Sequence, residues 1–388
     1  MRFSLGGLIL LFAVVALASG QASAGKLDKE FQVNTRSEYG QSDSGVATLS
    51  RRDFVVVWQS YFPDAREFDI RAQRYRKGRQ AGGEFVVNTR TAGDQTRPSI
   101  AALANGDFVV VWQSELKGIR GQRFTKWGKR IGKEFLVSRY SVKTQANPSI
   151  AALADGGFVV VFTALKEERS LLAQRYDRHG DKMARTFKVN TGPKQAPHGY
   201  TGVTGLPNGG FVVVWWLEEI NARRYNRKGK PVSGILRVNT DTIAFQHHQQ
   251  QPPVTALSNG GFVVAWRSGT NLHGQRFSGK AVKQGAEFQL NTYGENTHSN
   301  PALAPLGNGW FVAVWPAYGQ DGHYFGIFGQ KFDKRGKKRG PEFQVNTTTQ
   351  WNQDDPAIAG FADDRFLVTW SGNHEFNGHY DVFARRMR

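Results

Sequence analysis

The chain has 388 residues, a net charge of +19 from 51 Lys and Arg against 32 Asp and Glu, and no cysteine. The lack of cysteine excludes disulfides, thiolate metal sites, cysteine nucleophiles and a lipid-modified cysteine. With 39% hydrophobic residues, 12% aromatic residues and 44 glycines, the composition excludes a disordered polycation and is typical of a packed, turn-rich protein.

The first 24 residues have the pattern of an export signal. Met1-Arg2 is a short positive segment, residues 5–18 are mostly apolar, and Ala22-Ser23-Ala24 offers small residues for cleavage. A membrane-spanning helix needs about 20 apolar residues, and no second segment of that length follows. We therefore predict cleavage after Ala24 and a secreted or periplasmic protein without a transmembrane segment. The alternative is a buried N-terminal helix.

One repeat fills the rest of the sequence. A block typified by Phe-Val-Val-Val-Trp occurs seven times, with successive blocks beginning 54, 50, 53, 51, 49 and 55 residues apart. The blocks begin at Phe54, Phe108, Phe158, Phe211, Phe262, Phe311 and Phe366. Asn-Gly or Asp-Gly precedes five of them, and these dipeptides tolerate the positive φ angles of a two-residue hairpin turn. Each repeat therefore begins with a hairpin whose first strand is rich in small residues and whose second is rich in valine.

Two more segments complete each repeat. A third is typified by Gly-Gln-Arg-Phe at 121–124, and a fourth by Glu-Phe-Val-Val-Asn at 84–88. Four short strands per roughly 50 residues, repeated seven times, predict an all-β fold: a seven-bladed β-propeller of four-stranded blades over residues 25–388. The Val-rich strand is apolar on both faces, as expected for a strand between neighbouring blades.

The two ends of the chain predict how the ring closes. Residues 30–34 match a fourth strand, whereas residues 381–386 match a third strand with no fourth strand behind it. We expect the N-terminal strand to complete the seventh blade, which removes an exposed sheet edge. An open solenoid is the alternative, and it would leave both ends unpaired.

The repeat also resembles a known type. Its order of Asp/Asn-Gly-Gly-Phe-Val-Val-Val-Trp, Gly-Gln-Arg-Phe and Glu-Phe-Gln-Val-Asn-Thr resembles repeats of secreted bacterial surface and adhesin-type proteins, some with haemolysin-type calcium-binding regions. The resemblance covers nearly the whole predicted mature chain, but the shared residues are hairpin and core positions. Two features depart from it: calcium-binding Gly-Gly-x-Gly-x-Asp nonapeptides are absent, and the connections after Gly-Gln-Arg-Phe are strongly basic.

Nearly all of the net charge falls in one class of loop. The six complete connections between third and fourth strands contain 20 basic residues and three acidic ones. In a propeller these connections share one face with the turns between first and second strands, so folding should gather the charges into a cationic ring. The candidate polyanion-binding residues are Arg76, Lys77, Arg79, Lys126, Lys129, Arg130, Lys133, Arg227, Lys228, Lys230, Lys334, Arg335, Lys337, Lys338 and Arg339. Such a ring attracts polyanions, and salt weakens the attraction.

The expected partner is an anionic polymer or a cell-envelope surface: acidic polysaccharide, lipopolysaccharide, anionic lipid or extracellular nucleic acid. Sequence-specific nucleic-acid recognition is not expected, because no helix-turn-helix, RNP-like motif or zinc finger is visible. Simple solubilisation of exposed turns is the alternative explanation for the charges. We expect a monomer without a cofactor.

The opposite face suggests a second hypothesis. Its loops near the ring closure combine aromatic residues with carboxylates, and the candidate sugar-binding residues are Tyr61, Tyr318, Tyr324, Trp351, Asp354, Asp355 and Tyr380. Aromatic rings beside hydrogen-bonding groups suit sugars, and paired carboxylates can hydrolyse a glycoside. A polysaccharide lyase or glycoside hydrolase is therefore the alternative to a binding module, and an envelope protein-interaction scaffold is a third possibility. No residue is assigned a catalytic or metal-binding role.

Two recurring polar residues are predicted to be structural. The arginine of Gly-Gln-Arg-Phe should bridge blades or turn carbonyls; it occurs at Arg74, Arg123, Arg175 and Arg276. The asparagine that ends each fourth strand should form a turn; it occurs at Asn34, Asn88, Asn190, Asn239, Asn291 and Asn346. The pair His247-His248 is predicted to lie in a solvated loop.

Overall fold

A computed structural model of the chain describes residues 29–62, 67–138, 145–164, 170–191, 201–240, 252–294, 298–373 and 378–388. The predicted signal peptide and the pair His247-His248 lie outside these residues. Every regular element in the described residues is a β-strand. None of the described segments forms a helix with the length and apolarity needed to cross a bilayer.

The strands form seven antiparallel blades, which confirms the predicted seven-bladed propeller. We label the strands of each blade A to D from the channel outward. Blade 1 contains β2 (Gln41–Thr48), β3 (Phe54–Phe62), β4 (Glu67–Arg76), and a D strand in two pieces, β5 (Arg79–Gln80) and β6 (Phe85–Val86). Blade 2 contains β7 (Gln95–Ala102), β8 (Phe108–Ser114), β9 (Gly118–Phe124) and β10 (Arg130–Ser138). Blade 3 contains β11 (Gln145–Ala152), β12 (Phe158–Ala164), β13 (Ser170–Tyr176) and β14 (Lys182–Lys188).

The remaining blades repeat this order. Blade 4 contains β15 (Thr201–Gly205), β16 (Phe211–Leu217), β17 (Glu219–Tyr225) and β18 (Leu236–Arg237). Blade 5 contains β19 (Val254–Ala256), β20 (Phe262–Ser268), β21 (Asn271–Phe277) and β22 (Phe288–Gln289). Blade 6 contains β23 (Ala302–Pro305), β24 (Phe311–Tyr318), β25 (Phe325–Phe332) and β26 (Lys338–Gln344). Blade 7 contains β27 (Gln353–Gly360), β28 (Phe366–Gly372), β29 (Asp381–Met387) and the N-terminal β1 (Phe31–Gln32).

The N-terminal strand closes the ring as predicted. β1 pairs with β29 in the register Phe31↔Ala384, and the Val382 amide continues the pairing by donating to Asn34 Oδ1 at 2.7 Å. A glutamate contact then joins neighbouring blades on each side of the closure: Thr347 donates to Glu30, and Thr35 donates to Glu84. Each A strand also contacts the A strands of the next and previous blades, so the channel is enclosed by a closed circle.

The apolar core lies between blades rather than in one central mass. Along β3, Phe54, Val56 and Trp58 pack toward blade 7, whereas Val55 and Val57 pack toward blade 2. The same alternation produces seven clusters, one at each blade boundary. This arrangement confirms that the Val-rich strand is sandwiched between neighbours.

The A–B turns differ in one detail from the prediction. In blade 2 the Leu103 amide donates to Asp107 O at 2.7 Å and the Gly106 amide to Leu103 O at 2.9 Å, so three residues form the loop rather than two. Gly106 has φ +85°, which is the left-handed geometry that closes a three-residue hairpin. The Asn-Gly dipeptide therefore correctly predicts a turn, but the loop contains three residues instead of two.

Hydrogen bonds show which connections share a face. The Lys77 amide in the C–D turn of blade 1 donates to Asp53 Oδ1 in its A–B turn at 2.8 Å, and the Lys126 amide does the same to Asp107 in blade 2 at 3.0 Å. We call the side with the A–B turns and C–D hairpins the hairpin face. The other side, with the B–C and D–A connections, is the loop face.

Candidate functional site

In blades 2 to 6 the C–D hairpin is built by a polar residue that precedes the turn. In blade 4, Asn226 Oδ1 accepts from the amides of Lys228 and Lys230 at 2.9 and 3.0 Å. In blade 6, Asp333 Oδ1 accepts in the same way from Arg335 and Lys337 at 2.8 and 2.9 Å. Because these backbone amides turn inward to the cap, the basic side chains between them stand outward, and these four are exposed.

Two of the three acidic residues in these hairpins are used as caps. Burial works against the charge of Asp333, but the amides of Lys337 and Arg335 and the Arg339 guanidinium outweigh it and lower the pKa of the carboxyl. Asp177 in blade 3 is similar: the amides of Asp181 and His179 lower its pKa despite burial. These carboxylates stay ionised and accept hydrogen bonds from backbone amides of their own turns. They therefore do not cover the exposed basic side chains of the hairpins.

The predicted bridging arginines join successive hairpins. Arg74 donates to the Lys126 carbonyl at 3.2 Å and Arg276 to the Lys334 carbonyl at 2.9 Å, in each case in the C–D turn of the following blade. Arg123 donates to the Arg178 carbonyl of blade 3 at 2.9 Å. Arg175 differs, since it pairs with Asp155 of its own blade at 3.3 Å. Three of the four arginines thus hold neighbouring hairpins side by side on the hairpin face.

Five of the predicted binding residues lie in D strands rather than in connections. Arg79 belongs to β5, Arg130 and Lys133 to β10, and Lys338 and Arg339 to β26. The short hairpins end earlier than the sequence indicated, because each turn closes within five residues.

Three of these five side chains make structural contacts. Arg130 donates to the Val86 carbonyl of blade 1 at 2.6 Å, and Lys338 donates to the Asn291 carbonyl of blade 5 at 3.0 Å. Arg339 pairs with Asp333 at 2.6 Å. These cations therefore hold blades or turns in place.

The other predicted cations are exposed on the hairpin face, and they are Arg76, Lys77, Arg79, Lys126, Lys129, Lys133, Arg227, Lys228, Lys230, Lys334, Arg335 and Lys337. Trp127 lies among them with 51% of its surface exposed. The Arg76 guanidinium of blade 1 lies over its ring at 4.7 Å, and Lys126 lies over it at 5.1 Å. The charged surface is therefore continuous across the boundary between these two blades.

The loop face opens into the central channel. A cavity of about 500 Å³ is bounded by the A strands. Its mouth brings together Asp43 of blade 1, Asp354 and Asp355 of blade 7, and Arg97 and Asn147 of blades 2 and 3. Blades 4 to 6 contribute uncharged residues to the described lining, among them Ser299 and Asn300, so the charged side chains of the described lining come from blades 1, 2 and 7.

A β-bulge creates the polar side of the mouth. β2, β7, β11 and β27 each have a register shift near their loop-face end. The bulged residues Asp43, Arg97, Asn147 and Asp355 have φ between 51° and 54°, a left-handed conformation that costs energy for any residue with a Cβ. Arg97 also donates to Asn147 Oδ1 across the blade boundary. Strain repeated in four consecutive blades at a cavity mouth is typical of a functional surface.

The carboxyl groups at the mouth are shifted toward their neutral forms. Burial and the neighbouring Asp355 raise the pKa of Asp43 to about 6, against the opposing charge of Arg97. Burial and Asp355 likewise raise the pKa of Asp354 to about 6, although the Asp355 amide donates to it. Burial raises the pKa of Asp355 as well. A carboxyl that is protonated near neutral pH beside an ionised one can act as a general acid.

The structure brings only part of the predicted sugar-binding set together. Tyr380 lies near the mouth, where burial raises its pKa and Asp354 and Asp355 add to the shift. Tyr324 stacks on Trp351 with centroids 6.3 Å apart and meets Tyr318 edge-on at 6.4 Å. Tyr61 packs instead on Phe68 in blade 1. The cavity lining does not include Tyr61, Tyr318, Tyr324 or Trp351, so the predicted set divides between the mouth and the rim.

Asp43, Arg97 and Asn147 were missed in the sequence. All three occupy the same position of the repeat. Each lies two residues before a small residue of its A strand, and that small residue pairs with the fourth residue of the Val-rich block, as in Gly45↔Val57 and Ser99↔Val111. The shared repeat position was the available signal, but the bulge that turns the side chain into the channel is not visible in sequence. Within the part of the chain that the structure describes, no group of three or more His, Asp or Glu is arranged to hold a metal ion.

Comparison with known proteins places the fold and leaves the activity open. No protein-family model and no curated protein matches the chain. A protein of unknown function from Dyadobacter fermentans is similar in structure, with a TM-score of 0.55, 12% identity, and coverage of 92% of this chain and 97% of that one. An α-L-arabinanase of Penicillium chrysogenum complexed with arabinobiose has a TM-score of 0.53, 13% identity and the same coverage. The NanB sialidase of Streptococcus pneumoniae has a TM-score of 0.52 and 8% identity, covering 92% and 70%.

Proposed function

We propose that the protein binds an anionic polysaccharide through its hairpin face. The observation that carries the proposal is the direct contact between successive C–D hairpins, in which a bridging arginine of one blade bonds to the turn of the next. Twelve of the fifteen basic residues singled out in the sequence stand on this surface without the structural contacts that occupy Arg130, Lys338 and Arg339.

A polymer fits this surface better than a small anion. The cations are spread over the turns of several blades, so a chain with charges at intervals can contact many of them together. Each contact adds a salt-dependent increment, and together they give avidity. The arginines offer paired donors that match sulfate, phosphate and carboxylate groups.

A carbohydrate is the polymer class we favour. Two propellers of similar fold bear names that concern carbohydrate, an arabinanase bound to arabinobiose and a sialidase. The exposed Trp127 between Arg76 and Lys126 gives the basic surface an aromatic element as well. With the predicted export signal, these observations favour a secreted or periplasmic adhesion module.

The test compares two triple variants that lose the same charge from opposite faces. K334Q/R335Q/K337Q removes three exposed cations from the hairpin face, and R36Q/R90Q/K117Q removes three from the loop face. The first should lower the salt concentration that elutes the protein from immobilised heparin and reduce the slope of log Kd against log salt by about 2 to 3. The second should leave both nearly unchanged. Equal effects of the two variants would contradict a face-specific surface.

The channel mouth supports a second candidate function, hydrolysis or binding of a glycan by the loop face. Its specific observation is the group Asp43, Asp354 and Asp355. Burial and the neighbouring Asp355 raise the pKa of Asp43 and of Asp354 to about 6, and burial raises the pKa of Asp355. One protonated and one ionised carboxyl are the groups that glycoside hydrolysis uses.

Release of reducing sugar from arabinan and from acidic polysaccharides tests this candidate. Activity that falls by about 100-fold or more in D355N, but survives in K334Q/R335Q/K337Q, would support it. Binding without product release, unchanged in D355N, would leave the hairpin face as the functional surface and contradict catalysis.

A further inference from the structure

The seam between blades 7 and 1 breaks the repeat on the hairpin face. Five of the seven A–B turns carry Asn-Gly or Asp-Gly and no basic residue. Blade 1 has Arg51-Arg52 at these two positions, and the corresponding turn of blade 7 ends in Arg365. The exceptions therefore fall in the two blades that adjoin the ring closure.

These exceptions meet in one depression. A cavity of about 450 Å³ is lined by Arg51, Arg52, Arg76, Lys77 and Arg365, with Ser50 and Asp53 as the other lining residues. The lining thus contains five cations and one carboxylate, Asp53, which already accepts the Lys77 amide at 2.8 Å. A second carboxylate, Asp363, lies outside the lining and balances the charge of Arg365. The volume is in the range of small-ligand sites.

Backbone contacts fix the three segments that supply the cations. The Arg365 guanidinium donates to the Arg51 carbonyl at 3.1 Å, which joins the two A–B turns across the seam. The Gly78 amide donates to the Arg52 carbonyl at 3.0 Å, which joins the A–B turn to the C–D turn. Asp363 pairs with Arg365 at 2.6 Å and orients its guanidinium. The depression is therefore formed before any ligand arrives.

We propose that this seam depression is a specific site for a tetrahedral oxyanion, a sulfate ester or a phosphate group of the polymer. The inference rests on the proposed polyanion binding and adds a defined subsite to it. Its cations come from three turns, the A–B turns of blades 1 and 7 and the C–D turn of blade 1. A tetrahedral group presents three or more acceptor oxygens to such donors, whereas a planar carboxylate presents two in one plane. The seam should therefore select sulfated or phosphorylated polymers over carboxylated ones.

The experiment measures the affinity of three polymers, namely dextran sulfate, polyphosphate and polygalacturonate, at one ionic strength. R51N/R52G restores the Asn-Gly that other blades carry at this turn, and R227Q/K228Q removes the same charge from blade 4. R51N/R52G should lose about tenfold or more in affinity for dextran sulfate or polyphosphate, against about twofold for R227Q/K228Q. Polygalacturonate affinity should fall equally in both. The polymer with the larger loss identifies the oxyanion.

The outcomes separate this inference from the proposed function. Equal losses in the two variants for every polymer would overturn the seam site while leaving a general cationic surface intact. No salt-dependent binding of any polymer by the wild-type chain would overturn both. Lys77→Asn is a second variant, and it leaves the sequence of the A–B turn unchanged. It should also preserve the C–D turn, because asparagine tolerates the φ of 49° at position 77. It should reproduce the selective loss in smaller degree, and an unselective loss would contradict the site.

Discussion

The two faces of the propeller are built by different means. On the hairpin face the C–D turns of blades 2, 3, 4 and 6 follow one short pattern, a capping residue, then one or two basic residues and a glycine, and repetition brings the charges together. On the loop face the polar channel mouth arises from strained bulges in four of the A strands. A repeated local pattern thus generates a broad cationic surface, whereas convergence of side chains from separate blades generates a small polar cavity.

The hairpin face itself carries two kinds of cation. Arg276 and Lys338 donate to carbonyls of adjacent blades, while Arg227 and Lys334 are exposed. A basic residue on the hairpin face can therefore stabilise the ring or remain available for a ligand. The following variants test these distinctions.

Opening the ring should have the largest effect, because both faces depend on closure. A chain that begins at residue 36 loses β1, the buried Val33 and the bond from Val382 to Asn34. We expect the free energy of unfolding to fall by roughly 5 kcal/mol, from lost apolar burial and hydrogen bonds. Thermal denaturation of this chain and of a control that begins at residue 29 measures the difference. Equal melting temperatures would contradict closure by the N-terminal strand.

Removing a bridging arginine should have the next largest effect. R276Q loses bonds to the carbonyls of Lys334 and Gln284, at 2.9 and 3.1 Å. We expect the free energy of unfolding to fall by about 2 kcal/mol. The control R227Q removes an exposed arginine from the same face and should change it by less than about 0.5 kcal/mol. Urea denaturation measures the free energy of unfolding of both variants. Equally small decreases in R276Q and R227Q would show that the bridging arginines contribute little to stability.

Ionisation of Asp43 at the channel mouth should lower the free energy of unfolding as the pH rises from 3.8 to about 6. Because burial and Asp355 raise the pKa of Asp43 from 3.8 to about 6, the folded state binds an extra proton between these values, and stability falls as pH rises through them. D43N should therefore stabilise the protein by about 1 kcal/mol near pH 7 and have little effect near pH 3.5. D181N, which removes an exposed carboxylate from the hairpin face, is the control. A D43N effect independent of pH would contradict the assignment.

A polymer on the hairpin face should produce a small optical change. Trp127 is 51% exposed between Arg76 and Lys126, so a bound chain should reduce its quenching by acrylamide. W127F should show less protection on addition of heparin, because it removes the most exposed tryptophan described on the hairpin face, where Trp310 is only partly exposed. W351F should keep the wild-type protection, and the reverse pattern would place the polymer on the loop face.

Much of the fold could be predicted because the repeat contains it. The Val-rich strand and the Asn-Gly turn recur in sequence, and the unmatched strands at the two ends imply closure between β1 and β29. The site was less accessible. Lys338 resembled Lys334 in sequence, yet Lys338 extends to the Asn291 carbonyl of the preceding blade and Lys334 stands in solvent. Asp43 and Asp355 are hundreds of residues apart, and only the bulges and the closed ring bring their charges together.

Lysine protection gives the most direct test of the central claim that an anionic polysaccharide covers the hairpin face. The free protein and its heparin complex are acetylated, and each lysine is quantified by mass spectrometry. The structure predicts protection of the exposed Lys126, Lys129, Lys228 and Lys334, and unchanged reactivity of Lys117 on the loop face. Protection of Lys117 equal to that of the hairpin-face lysines would contradict it.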